Sequence, residues 1–167
     1  RMLTVFEKVN AEIPFDGLPW FFDHAETISP QNIERVSALG GGIAIQDRMA
    51  FQGEYFVDRY GHKAAEQTPP IRRMLEAGVP VGAGTDATRV SSFNPWYGLY
   101  WLVSGRTVGG LALHKEGLSR ETALELHTHG SAWFSSEQGK KGMIKEGQLA
   151  DCIALSADYF SIPEQDI

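Results

Sequence analysis

A single cysteine, Cys152, among 167 residues leaves no disulfide to form within the chain. No apolar run is long enough to span a bilayer and no signal-peptide pattern is present, so no membrane partner is expected and the cytoplasm is the default address. Basic runs are missing too: Lys plus Arg number 15 against 21 acids, a formal charge of -6. That balance speaks against nucleic acid as a partner. Two glycine clusters, Gly40-Gly41-Gly42 and Gly82-Ala83-Gly84, fail to complete a G-x-G-x-x-G or a P-loop with its Lys and Ser/Thr. They read as a helix stop and as strand packing. No G-x-S-x-G elbow occurs and Cys152 falls inside a predicted strand, which leaves serine or cysteine nucleophile chemistry without support.

What is present centres on Val79-Pro80-Val81-Gly82-Ala83-Gly84-Thr85-Asp86. Small apolar residues of this kind suit a buried parallel strand, and a charge is costly inside such a core. Asp86 is therefore expected at the strand's carboxyl end, where α/β sheets and barrels carry their sites. The plain alternative is a helix N-cap before a turn.

The rest of the chain repeats this grammar. A run from Leu18 to Phe22 leads into Asp23-His24-Ala25-Glu26. Ser29-Pro30 opens a helix with Ile33, Val36 and Leu39 at helical spacing, stopped by the glycine run. Ile43 to Gln46 reads as a second strand, and the stretch through Tyr60 reads as polar and irregular. Thr68-Pro69-Pro70 then opens a helix ending at Gly78, ahead of the strand before Asp86. The β-α-β-α-β order predicts three parallel strands, about residues 18 to 23, 42 to 46 and 80 to 84, with crossover helices outside. Asn94-Pro95 starts an aromatic helix, whose Trp96, Tyr97, Tyr100 and Trp101 read as packing before sugar stacking, and Ser119 caps another helix to about His127. From Gly142 the chain turns glycine-rich and polar, with a short strand expected over Cys152 to Leu155.

His24 directly follows a strand, so its imidazole is placed for a metal at the rim that Asp86 also reaches. Two ligands fall short of the three that catalytic zinc usually takes. His127-Thr128-His129 has the letters of a metal pair, but at a helix end positions two apart diverge by about 200°, so a structural role is expected. His62 and His114 read as solvated. Asp23, Glu26 and Asp86 are a further carboxylate set, with separations that sequence does not give.

Taken in order, these motifs resemble the amidohydrolase superfamily, in its branch of long metal-dependent hydrolases acting on amide-type substrates. They are Asp23-His24-Ala25-Glu26 with Ile28-Ser29-Pro30, Leu39-Gly40 into a strand ending at Gln46, and Leu75-x-x-Gly78-Val79-Pro80 before Gly84-Thr85-Asp86. Leu118-Ser119-x-Glu121-x-Ala123-Leu124 and Gly142-x-Ile144-x-x-Gly147-Gln148-Leu149-Ala150-Asp151 complete the set. The resemblance implies the carboxyl-terminal part of a (β/α)8 TIM barrel, about three β/α units over residues 1–140, and a segment over 141–167 starting a small β-sandwich. It implies His24 and Asp86 as ligands of a divalent metal, zinc first among candidates, and Asp86 as the catalytic base toward a small amide-type substrate. The family's first-strand His-x-His, bridging lysine or acid and fifth-strand histidine have no counterpart in these residues. The 167 residues also fall short of the ~250 of a full barrel, and the chain opens in what reads as mid-helix. It is thus expected to be part of a longer hydrolase and inactive alone. The competing expectation is a non-catalytic half-barrel module that associates with itself, as a homo-oligomer, or with a partner chain.

Overall fold

Three short strands, β1 (Phe21–Asp23), β2 (Gly42–Gln46) and β3 (Val81–Gly84), pair in parallel in the order β1-β2-β3 in the computed structural model, which describes residues 1–167. The register sets Phe22 beside Ile43 and Ile43 beside Val81, while Asp23, Ala44 and Gly82 form a row on the opposite face. Period-two alternation thus divides the sheet. Its Ile43, Ile45 and Val81 belong to the main core with Ile33, Val36 and Met74. On the other face Gly42 and Gly82 admit aromatic rings, since a Cβ there would lie 2.6 Å from Trp133 and 2.7 Å from Phe134.

Crossovers follow the punctuation of the sequence. Helix α1 (Met2–Glu12) precedes β1, and α2 (Pro30–Ala38) opens with Pro30 at its first position and Ser29 accepting from the Asn32 amide at 3.3 Å. Arg35 grips Glu7 with two hydrogen bonds of 2.6 and 2.8 Å, tying α1 to α2. After β2 come α3 (Arg48–Tyr60), α4 (His62–Ala65) and α5 (Ile71–Glu76), the last leading into β3. Helix α6 (Pro95–Ser104) is capped by Asn94, which accepts from Trp96 N at 3.2 Å, and ends on left-handed Gly105. Ser119 accepts from Thr122 N to start α7 (Arg120–Glu125), which passes through a π-helical turn, Leu126–Gly130, into α8 (Ser131–Phe134). No helix is long and apolar enough to cross a membrane.

Several expectations need correcting. The stretch read as irregular through Tyr60 is the 13-residue helix α3, whose buried residues are only Met49, Ala50 and Gly53. So narrow an apolar stripe gives little periodic signal. The first strand starts at Phe21 and not at residue 18; Trp20 before it donates its Nε1 to the Leu39 carbonyl at 3.0 Å, while its own carbonyl accepts from the Gly42 amide at 2.9 Å. Residues 152 to 155 form no strand, Ile153 is exposed, and the β-sandwich segment expected over 141–167 is not shown. Its last part is instead fastened to α7 by Arg120, which donates to the Tyr159 and Ile162 carbonyls. Nor are His62 and His114 simply solvated. His62 Nε2 meets the Ala112 carbonyl at 2.8 Å, and half-buried His114 meets that of Thr68 at 3.1 Å.

Candidate active site at the strand ends

Parallel strands send all their carboxyl ends to one rim, and His24 and Asp86 are carried there by β1 and β3. The His24 amide still donates to the Ala44 carbonyl at 2.8 Å, continuing the ladder one residue past β1. The backbone then turns left-handed at His24 (φ 70) and Ala25 (φ 53). Beyond β3, Asp86 does the same at φ 52. Left-handed backbone costs a non-glycine residue about 1–3 kcal/mol and gathers at functional sites. With β2 between them, the two backbones stand two strand spacings apart, about 10 Å. His24 Nδ1 is buried and has no hydrogen-bond partner. Arg48, in the first turn of α3, reaches across to Glu26 at 3.4 Å and links the ends of β1 and β2.

A third acid stands at this rim, one that motif reading passed over. Asp47 follows β2 directly at the N-cap of α3, is only 2% exposed, and neither of its carboxylate oxygens accepts a hydrogen bond. Ser91 lies beside this carboxylate, with its hydroxyl also within reach of the Thr85 carbonyl. Burial pushes the Asp47 carboxyl up from 3.8 to about 6, against the lowering pull of Ser91 and of its own backbone, and the nearby Asp86 charge pushes it further.

His127, in the π-helical turn, approaches the same glycine as Asp47. A Cβ on Gly98 of α6 would lie 3.2 Å from His127 Nε2 and 3.3 Å from Asp47 Oδ2, so both groups crowd the same bare Cα. Burial drives the His127 imidazole down from 6.5 to about 4. His129 stays exposed, so the two histidines of the His-x-His letters part company.

These shifts have opposite signs in stability. The folded chain holds the Asp47 proton between pH 3.8 and about 6, where the unfolded chain has lost it, so this contribution falls as pH rises. For His127 the unfolded chain holds the extra proton between about 4 and 6.5, so its contribution rises with pH. Their slopes nearly cancel in the metal-free protein. Asp47→Asn is expected to expose a stability that climbs by about one proton's slope across this window, and to add about 1–2 kcal/mol near neutrality after solvent screening. His127→Gln is expected to expose the reverse slope. Urea unfolding of both variants over this range checks the signs, and equal slopes would contradict the assignment.

As donors, an imidazole nitrogen and a carboxylate suit a zinc-type divalent ion, and the buried, unpartnered Nδ1 of His24 fits that use. They are a partial set. Nowhere do three His, Cys, Asp or Glu side chains gather closely enough to hold an ion. Three clefts of about 540, 440 and 610 Å³ also leave His24, Asp47 and Asp86 outside their walls.

Comparison with known proteins supplies the frame for this rim. Among curated proteins, the chain is 26% identical over 160 residues to an N-substituted formamide deformylase of Arthrobacter pascens, covering 94% of this chain and 29% of that enzyme. It is 36% identical over 86 residues to an imidazolonepropionase of Syntrophobacter fumaroxidans, covering 52% of this chain and 18% of that one. Among solved structures, a metal-dependent hydrolase of Pyrococcus furiosus matches 95% of the chain at 26% identity and a TM-score of 0.72, with 32% of its own length covered. One from Pyrococcus horikoshii shares the fold over 98% of the chain at 24% identity and a TM-score of 0.78, again over 32% of its length. The chain therefore spans less than a third of the length of these relatives. The sequence profile described as "Amidohydrolase family" matches residues 1–167 throughout, and the chain belongs to that family.

Proposed function

We infer that this chain supplies the carboxyl-terminal part of a metal-dependent hydrolase that cleaves carbon-nitrogen bonds in small, non-peptide amides. The observation that carries the reading is the pairing of two metal-type donors with strained backbone: His24 and Asp86 each leave the carboxyl end of a parallel strand in a left-handed conformation. The deformylase and imidazolonepropionase names of the relatives support the bond type. His24 and Asp86 would hold the divalent ion, with the remaining ligands on strands outside these residues. When bound, that ion would polarise the substrate carbonyl and acidify the attacking water. Asp86 accepts the proton of that water and delivers it to the departing nitrogen, a general base and then a general acid at one carboxylate. His24 serves as a metal ligand through its imidazole.

The test is hydrolysis of a panel of N-acyl and N-formyl compounds by the full-length protein and by residues 1–167, with zinc and then with chelator. The full-length protein is expected to turn over at least one compound, to lose that activity with chelator and to regain it with zinc. The 167-residue chain is expected to be inactive. No turnover by zinc-loaded full-length protein would sink the reading, and a stable oligomer of the short chain without metal would favour the non-catalytic half-barrel module.

A further inference from the structure

Buried polar atoms without partners are rare in a folded chain, and here they gather at one place. Of six such side-chain atoms, five stand at the carboxyl ends of β1 and β2: His24 Nδ1, Gln46 Oε1, both Asp47 oxygens and Arg48 Nε. Only Trp101 Nε1 lies elsewhere. Gln46 is the last residue of β2, the central strand, and its register partner on β3 is Gly84. Its backbone therefore lies between the strand ends that lead to His24 and to Asp86, one strand spacing, about 5 Å, from each neighbouring strand. Alternation along β2 puts Gln46 on the face of Gly42 and Ala44. Nearer the amino ends, the rings of Trp133 and Phe134 fill this face at Gly42 and Gly82. At Gly84 the filling stops, since a Cβ built there would meet nothing within 4 Å. The face thus ends, at the rim, in open space beside a carboxamide.

We propose that Gln46 binds substrate and selects amides that bear an N–H: its Oε1 accepts that hydrogen and holds the substrate nitrogen at the rim. The proposal rests on the hydrolase reading given above and narrows its substrates to primary and secondary amides, as against N,N-disubstituted ones. An acceptor shut off from water and left unpaired is costly, and a donor carried in by the substrate removes that cost only in the complex. The last torsion of a glutamine side chain is soft, so Oε1 turns toward the open side at Gly84 without moving the strand. A methyl group in place of the amide hydrogen supplies no donor and adds bulk against the oxygen. Sites built around such a hydrogen bond discriminate strongly against the analogue that lacks it.

The experiment uses zinc-loaded full-length protein, the best N–H amide from the panel and its N-methyl counterpart. Gln46→Met keeps the length of the side chain without the carboxamide, while Gln46→Glu keeps an acceptor oxygen and loses the donor. Exposed Gln138→Met, in the cleft beside Gly40 at the amino ends of the strands, is the control. The parent is expected to favour the N–H amide by at least about 10²-fold in kcat/KM. Gln46→Met is expected to lower kcat/KM for that amide about 10-fold to 100-fold. The N-methyl amide should stay within about threefold, read as kcat/KM or, where it is not turned over, as its inhibition constant. Gln46→Glu should keep the preference for N–H, and the control should match the parent. Zinc content and far-UV circular dichroism are expected to stay unchanged in all variants. A parent without preference, equal losses on both amides in Gln46→Met, or loss of the preference in Gln46→Glu would overturn the assignment. An active parent with an indifferent Gln46→Met sinks this proposal alone, whereas a parent that hydrolyses no compound sinks the hydrolase reading and the proposal with it.

Discussion

Asp86→Asn in the full-length protein is expected to lower kcat/KM by about 10²–10⁴, the usual loss when a general base is removed. Asparagine keeps the size and planar shape of the side chain but has neither the charge that draws a cation nor the basicity that takes a proton from water. Weaker zinc retention should add to the loss, so the measurement pairs steady-state kinetics with metal content. Folding should change little, because Asp86 is exposed and asparagine tolerates left-handed backbone better than most residues. Asp86→Glu separates the two demands, since it restores charge at a displaced position. An Asp86→Asn protein with undiminished turnover would remove this carboxylate from the chemistry.

The largest expected effect on stability lies in the central strand. Ile43→Ala should cost about 2–5 kcal/mol, the range for deleting most of a fully buried aliphatic side chain and leaving a cavity. Ile43 has no exposed surface, packs on the helix-covered face of β2 and is paired on both sides, with Phe22 and with Val81. Since a domain's whole stability is about 5–15 kcal/mol, such a loss should shift the urea midpoint well below that of the parent. Ile144→Ala makes the comparison, because Ile144 is 99% exposed and should change stability by less than about 0.5 kcal/mol. Equal midpoints for the two variants would show that β2 is not the centre of the core.

The parts that could be read from sequence were those built from strong local rules. Short apolar runs closed by glycine, with Ser-Pro and Asn-Pro at helix starts, located the three strands and the helices α2 and α6, and the strand order followed from the crossovers. Helix α3 escaped because its buried face is a narrow stripe between long polar side chains. Asp47 was missed although it obeys the rule used for Asp86, an acid immediately after a buried strand, because the stretch it opens reads as polar and irregular. The approach of His127 and Asp47 to Gly98 had no local signal. It depends on a π-helical turn, which alters the phase of a helix, and on Gly98 more than 25 residues upstream. A strand at Cys152 to Leu155 was suggested by its apolar letters, but a strand needs a neighbour to bond, and these residues have none.

The left-handed backbone at His24 and Asp86 sets selection for stability against selection for chemistry. Glycine would relieve the conformational cost at either position, by about 1 kcal/mol, while deleting the imidazole or carboxylate it replaces. A library of this protein ranked by thermal resistance alone would therefore enrich glycine at 24 and 86 and drift toward sturdier, inert descendants. Preservation of both side chains in a lineage that must also stay folded marks continued demand for the activity, and an ancestor rebuilt with glycine at either position would be read as having abandoned it.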